Sequence, residues 1–429
     1  MITIIVTLII AGISVATLTG DNGIFNQAQD AKLAKERDME RDKLTTSILE
    51  SNDKFGELNA TLLIQNIKAN IEGVETVTAS GEDNDKLPVT VTYSNGNISK
   101  IGKDGTIIGP LPEVKAGVFA PKDSNAYYKD SDGNIAVIPA GFSVSNVAGE
   151  NSIPGGLVII DENQNEFVWI PVGTIKNGEE EKTIELGRYV FNEDGSINTT
   201  LSNPKNGQLK ISSNSSVYFT EFLFTDNNVK EAGTQGSNGN IIAKDINEFI
   251  KKANQIDGFY IGRYEARTTS SEIERAENTD DLTAVTENSN NMVYRYITQP
   301  NAAIQAKTMY TKNSNFEVDL MNSYAWDTTI LFLQIFGTNP TYSKEKAIDF
   351  TYANKGTNNT EKKDIQCNVY DIASNCYEWT TEANSNDSGS CVRRGGWYLD
   401  DSKYSSHRDS VPTDIGGYFT SFRPILYIK

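Results

Sequence analysis

The sequence is short of the groups that most enzymes and metal centres use. It has one histidine, His407, and three cysteines, Cys367, Cys376 and Cys391, in 429 residues. A histidine-rich metal centre is therefore excluded, and a zinc site would need all three thiols with His407 and no close C-x-x-C pair. A serine or cysteine nucleophile would have only His407 as its imidazole base, and no G-x-S-x-G elbow is present. An odd cysteine count does not make a dense disulfide framework. Positive charge is scarce too: 39 Lys and Arg against 57 Asp and Glu give a net charge of −18. Generic nucleic-acid binding, which needs a basic surface, is not expected. Long apolar runs are missing except at the start.

That run, Met1 to Leu18 (MITIIVTLIIAGISVATL), carries no charge and at 1.5 Å per residue spans ~27 Å, enough for a hydrocarbon core. With no basic stretch before it and no A-x-A-like site after it, a retained membrane anchor is expected over residues 1–20 rather than a cleaved signal. Apolar residues then recur at Leu44, Ile48, Phe55, Leu58 and Leu62, steps that fit a long amphipathic helix. The segment KLAKERDMERDK suits a solvated helical stalk. Residues 87–93 and 98–101 flank Asn95-Gly96 and read as strand, turn, strand. Gly109-Pro110-Leu111-Pro112 breaks regular structure and marks a boundary. Residues 21–112 are thus a helical stalk with a small antiparallel sheet.

From 113 to 429 short β-rich runs, such as Phe167 to Val172, alternate with Gly, Asn, Asp and Ser, an irregular α+β texture. Helices are expected at 245–256 and at 323–336, the latter stopped by Gly337. The Asn- and Ser-rich stretches 193–240 and 353–362 read as surface loops.

Two resemblances follow from these strings. The apolar leader with TLIIAGIS, then TGDNGIF and a long helix, resembles type IV pilin-like proteins of Gram-positive bacteria over roughly residues 1–110. It implies pilin subunits as partners and an exported C-terminus. The chain begins inside the apolar helix, without the family's basic leader, processing glycine or early acid, so either the start was assigned late or no pilin-type processing occurs. Further on, FVWIPVG, FYIGRYEAR, NVYDIASNCYEWT, VRRGGWY and the terminal FRPILYIK together resemble the formylglycine-generating enzyme (sulfatase-modifying factor) family, which implies a C-type-lectin-like fold over 113–429. The two copper-binding cysteines that follow the family's R-G-G motif fall here on Asp400 and Ser405. Neither supplies the soft sulfur that copper(I) prefers, so the domain is expected to be inactive as an oxidase. The family's G-N-V-x-E-W box matches Asn375 to Trp379 and implies calcium, with Asn368 and Glu378 as candidate ligands; a purely hydrogen-bonding Glu378 is the other reading.

Between Thr380 and Lys429 six acids and six bases are interspersed with Trp397, Tyr398, Tyr404, Tyr418, Phe419 and Phe422, a composition like that of antibody paratopes. This stretch resembles the variable proteins of diversity-generating retroelements, whose mutable residues follow an R-G-G-x motif. Tyr398, Asp400, Asp401, Tyr404, His407 and Asp409 are the expected ligand-binding residues. The function expected is a surface-displayed, membrane- or pilus-anchored binding protein, an adhesin or receptor for a protein or glycan. A formylglycine-generating oxidase and a structural minor pilin are the alternatives.

Overall fold

The computed structural model describes residues 24–53, 56–79, 87–205, 207–221, 246–266, 293–310, 315–347, 364–384, 390–397, 400 and 402–429. The chain divides into two compact units, Met1–Pro112 and Glu113–Lys429, and is a mixed α/β protein with several antiparallel sheets. The apolar stretch 1–20 lies outside the described residues. Among the described residues no helix is long and apolar enough to cross a membrane.

In the first unit a helix over Ile24–Leu49 is followed by a second over Ala60–Asn70. The continuous helical pattern expected through Leu62 is interrupted: the first helix ends at Leu49, the Asn59 amide donates to the Ser51 carbonyl at 3.0 Å, and Asn59 caps the second helix by accepting from the Leu62 amide at 2.9 Å. Nor is the first helix a free stalk throughout. Leu44 is buried with Leu63 and Ile67 against Val77, Val89, Val91 and Tyr93 of the sheet. That sheet is antiparallel in sequence order, Val74–Ala79, Val89–Tyr93, Ile98–Ile101 and Ile107–Leu111. Gly109-Pro110, expected to break the chain, sits within the last strand. An edge strand needs only half its amides for pairing, so it accepts a proline that a central strand would reject.

The second unit holds two larger sheets. The first has six antiparallel strands in the order Phe316–Leu320, Pro424–Ile428, Gly258–Gly262, Glu166–Pro171, Val158–Ile160, Ser143–Val144. The second runs Phe219–Glu221, Tyr377–Asn384, Ser390–Arg394, Arg408–Pro412, with Thr420–Phe422 added in parallel beside Tyr377–Asn384. Helices Ile246–Ile256 and Ser323–Phe336 form where apolar periodicity places them. The second is capped by Asn322, which accepts from the Ala325 amide at 2.9 Å, and ends at Gly337. Both contribute to one core with Val168, Ile170, Phe259, Ile261, Trp326 and Tyr427.

Candidate ligand-binding face

The five-stranded sheet positions the residues of interest. Side chains alternate along a strand, and Arg393 and Arg394 show the consequence. Arg393 is paired in register with Trp379 and Asp409. Its guanidinium lies 4.9 Å from the Tyr377 ring centre and 5.0 Å from that of Phe419, within cation–π range. Its Nη2 reaches Asp409 at 2.5 Å and its Nη1 donates to Thr420 Oγ1 at 2.7 Å. Phe419 in turn contacts Trp397 and Tyr418, with ring centres 5.0 and 5.1 Å apart. Tyr418 is exposed and Trp397 half-buried. Asp400 adds a carboxylate beside this ring cluster. It takes hydrogen bonds from the Ser402 amide at 3.0 Å and hydroxyl at 2.5 Å, and the Ser402 hydroxyl bond is the main cause of its lowered pKa. Tyr377 is held neutral chiefly by burial, with Asp409 and Asp400 nearby.

Arg394 turns to the other side, into a dry charge cluster. Its Nη2 pairs with Asp327 at 2.5 Å and its Nη1 with Glu382 at 3.2 Å. Arg408 pairs with the same two acids, reaching Glu382 at 2.9 Å, and Arg188 reaches Glu382 at 2.7 Å. All five side chains are fully or nearly fully buried. Burial opposes the charge on Glu382, but Arg408, Arg188 and Arg394 together outweigh it and bring its pKa down to about 2.

The same cluster fixes the segment that follows the glycine pair. Arg394 Nε donates to the His407 carbonyl at 3.0 Å, and Trp326 Nε1 donates to the Ser405 carbonyl at 2.9 Å. The hydroxyls of Ser405 and Ser406 donate to the carbonyls of Tyr342 and Ser343 at 2.5 and 2.6 Å. Gly395 and Gly396 are required by contact: a Cβ on either would lie 2.5 Å from the Ile372 carbonyl oxygen or 2.7 Å from that of Ala373.

Of the six residues expected at the face, Tyr398 and Asp401 lie outside the described residues. Asp400 and Asp409 come together at Tyr377. Tyr404 stands beside Lys344, whose Nζ is 5.2 Å from its ring centre. His407 is largely withdrawn, and burial, helped by Lys403 and Arg394, lowers its pKa to about 4. It is not the near-neutral switch that a free imidazole would be. Tyr377, Arg393 and Tyr418 were not among the expected site residues. The alternation of Arg393 and Arg394 on one strand was the available signal for Arg393.

The candidate calcium ligands are engaged otherwise. Glu378 receives Arg423 Nη2 at 2.7 Å and Nε at 3.1 Å. Burial pushes its carboxyl above the ordinary range, and Arg423 opposes that shift. Asn368 uses its amide nitrogen to bind the carbonyls of Gly149, Gly155 and Gly156 at 2.8–3.1 Å. Among the described residues no group of three or more His, Cys, Asp or Glu side chains is placed to hold a metal ion. Ser405, at one oxidase-cysteine position, is fully buried and hydrogen-bonded to the scaffold, and Cys376 and Cys391 are buried free thiols whose pKa burial pushes well up.

No protein-family model matches the chain, and no curated protein does. Among solved structures, that of PvdO from Pseudomonas aeruginosa is similar over 63% of this chain and 98% of its own, at 13% identity and a TM-score of 0.33. A likeness that distant assigns nothing by itself.

Proposed function

We propose that the chain is a surface-displayed binding protein, an adhesin or receptor, whose ligand meets the face around Trp397, Tyr418, Phe419, Arg393, Asp400 and Asp409. The observation that carries this reading is the aromatic cluster of Tyr418, Trp397 and Phe419, partly open to solvent, with the Arg393–Asp409 ion pair at its side. Aromatic anchors supply contact area at low entropic cost, and flanking charges give direction. The sequence resemblance to formylglycine-generating enzymes and to retroelement-diversified proteins supports a C-type-lectin-like domain over 113–429 with a variable C-terminal face. The pilin resemblance supports anchoring through residues 1–20, an extracellular C-terminal unit and pilin subunits as partners. Oxidase chemistry is outside this proposal, because Asp400 and Ser405 stand where the family has thiols.

The test is binding of the full chain to glycan and protein arrays, compared with Trp397→Ala and Tyr418→Ala variants of unchanged circular dichroism. Binding lost in both variants supports the face. Binding that survives both, or copper-dependent oxidation of a cysteine peptide by the wild type, overturns it.

A further inference from the structure

Away from this face, Arg295 is buried in an unusual way. It is 1% exposed, and its Nε, Nη1 and Nη2 all lack a hydrogen-bond partner among the described residues. The other fully buried arginines differ: Arg188, Arg394 and Arg423 each donate to carboxylates and to backbone carbonyls. A guanidinium does not give up its proton, so Arg295 carries a full charge where solvent is excluded. An uncompensated buried charge is among the costliest arrangements a fold can hold.

Other unpaired polar atoms lie in the same region. Val293, two residues before Arg295, packs against Cys376, whose thiol senses both Arg295 and Glu265. Glu265 uses Oε2 to accept from the Asn375 amide, while its Oε1 and the Asn375 Oδ1 have no partner. Ser421, beside Glu378 in the parallel pair, is fully buried with its hydroxyl unpaired. Burial, with Glu378 and Asp371 close by, pushes the Glu265 pKa well up.

We propose that Arg295 binds a compact monovalent anion, of the size of chloride or formate, inside the second unit. The guanidinium fork matches a planar oxyanion with two parallel donors and a halide with a bifurcated pair. The site is independent of the ligand-binding face and does not rest on the function proposed for it.

The test uses the full chain. Thermal unfolding is followed in a gluconate buffer at constant ionic strength, with chloride, nitrate or formate replacing gluconate. Because a ligand of the native state stabilises it by mass action, at least one of the three should raise Tm saturably, by roughly a few degrees. Chloride acting alone identifies a halide site; nitrate or formate acting more strongly identifies an oxyanion site. Arg295→Met should abolish the response. An unchanged Tm with all three anions, or the same response in Arg295→Met, overturns the proposal. If that variant does not fold, bromide-soaked crystals of the wild type decide. An anomalous peak within hydrogen-bond distance of the guanidinium supports the site, and a guanidinium contacting only water or protein refutes it.

Discussion

Asp327 and Glu382, one from a helix and one from a strand, hold the same two guanidinium groups, those of Arg394 and Arg408. Asp327 thereby fastens the helix Ser323–Phe336 to the sheet that carries the candidate face, while Glu382 ties together three strands within that sheet. Removing one member of such a group leaves the others charged and unpaired in a dry interior. Asp327→Ala and Glu382→Ala should each cost about 3–5 kcal/mol, measured by urea unfolding. A loss below about 1 kcal/mol would mean that water reaches the cluster.

Acid should find the same cluster. The folded pKa of Glu382, about 2, lies below its unfolded value. Its contribution is therefore complete above the ordinary glutamate range and is lost as pH falls from about 4.5 toward 2. Unfolding free energy measured across that interval should decline with a slope that Glu382→Gln reduces. An unchanged slope would contradict the assignment.

His407 behaves in the same sense at higher pH. Its folded pKa, about 4, is depressed, so the unfolded chain takes up the proton first. The stability it confers is present above about 6.5 and is lost as pH falls from there through 4. As the chain has one histidine, a single imidazole resonance should report this titration by NMR. A midpoint near 6.5 in the folded protein would show an exposed ring.

Calcium should leave the protein unmoved. With Glu378 taken by Arg423, neither chelator nor added calcium is expected to change Tm, whereas Arg423→Met should destabilise by about 3 kcal/mol or more by stranding that carboxylate. A chelator-induced drop in Tm would restore the metal reading.

At the face, Tyr418→Ala should weaken binding of any array-identified ligand by at least about 2 kcal/mol if the ring is an anchor, and Ser402→Ala should cost little. Surface plasmon resonance on both variants separates anchor from rim. Equal effects would place the contact elsewhere.

What could be read in the sequence is uneven for a physical reason. The helix Ser323–Phe336 and the strands either side of Asn95-Gly96 were legible because periodicity, caps and turn residues are local signals. The motif strings were legible too, and part of what they encode is scaffolding. Arg423 of the terminal string donates to the carbonyl of Gly262 in the second, to that of Tyr370 in the third, and to Glu378. The face was only half legible. Asp400 and Asp409 stand out by composition, whereas Tyr377 joins them through strand pairings across the sheet, which no local pattern announces. The break between the helices Ile24–Leu49 and Ala60–Asn70 was missed because Leu44, Ile48, Leu58 and Leu62 keep helical spacing across it.

Pro110 has a consequence of its own. The strand Ile107–Leu111 is the last of its sheet, and an outermost strand ordinarily invites another chain to pair with it. At Pro110 an incoming strand finds no amide to bind. Pro110, just before the unit boundary at Pro112, thus leaves a gap in the donor row. That gap makes this border a poor template for fibril-like stacking between copies of the first unit.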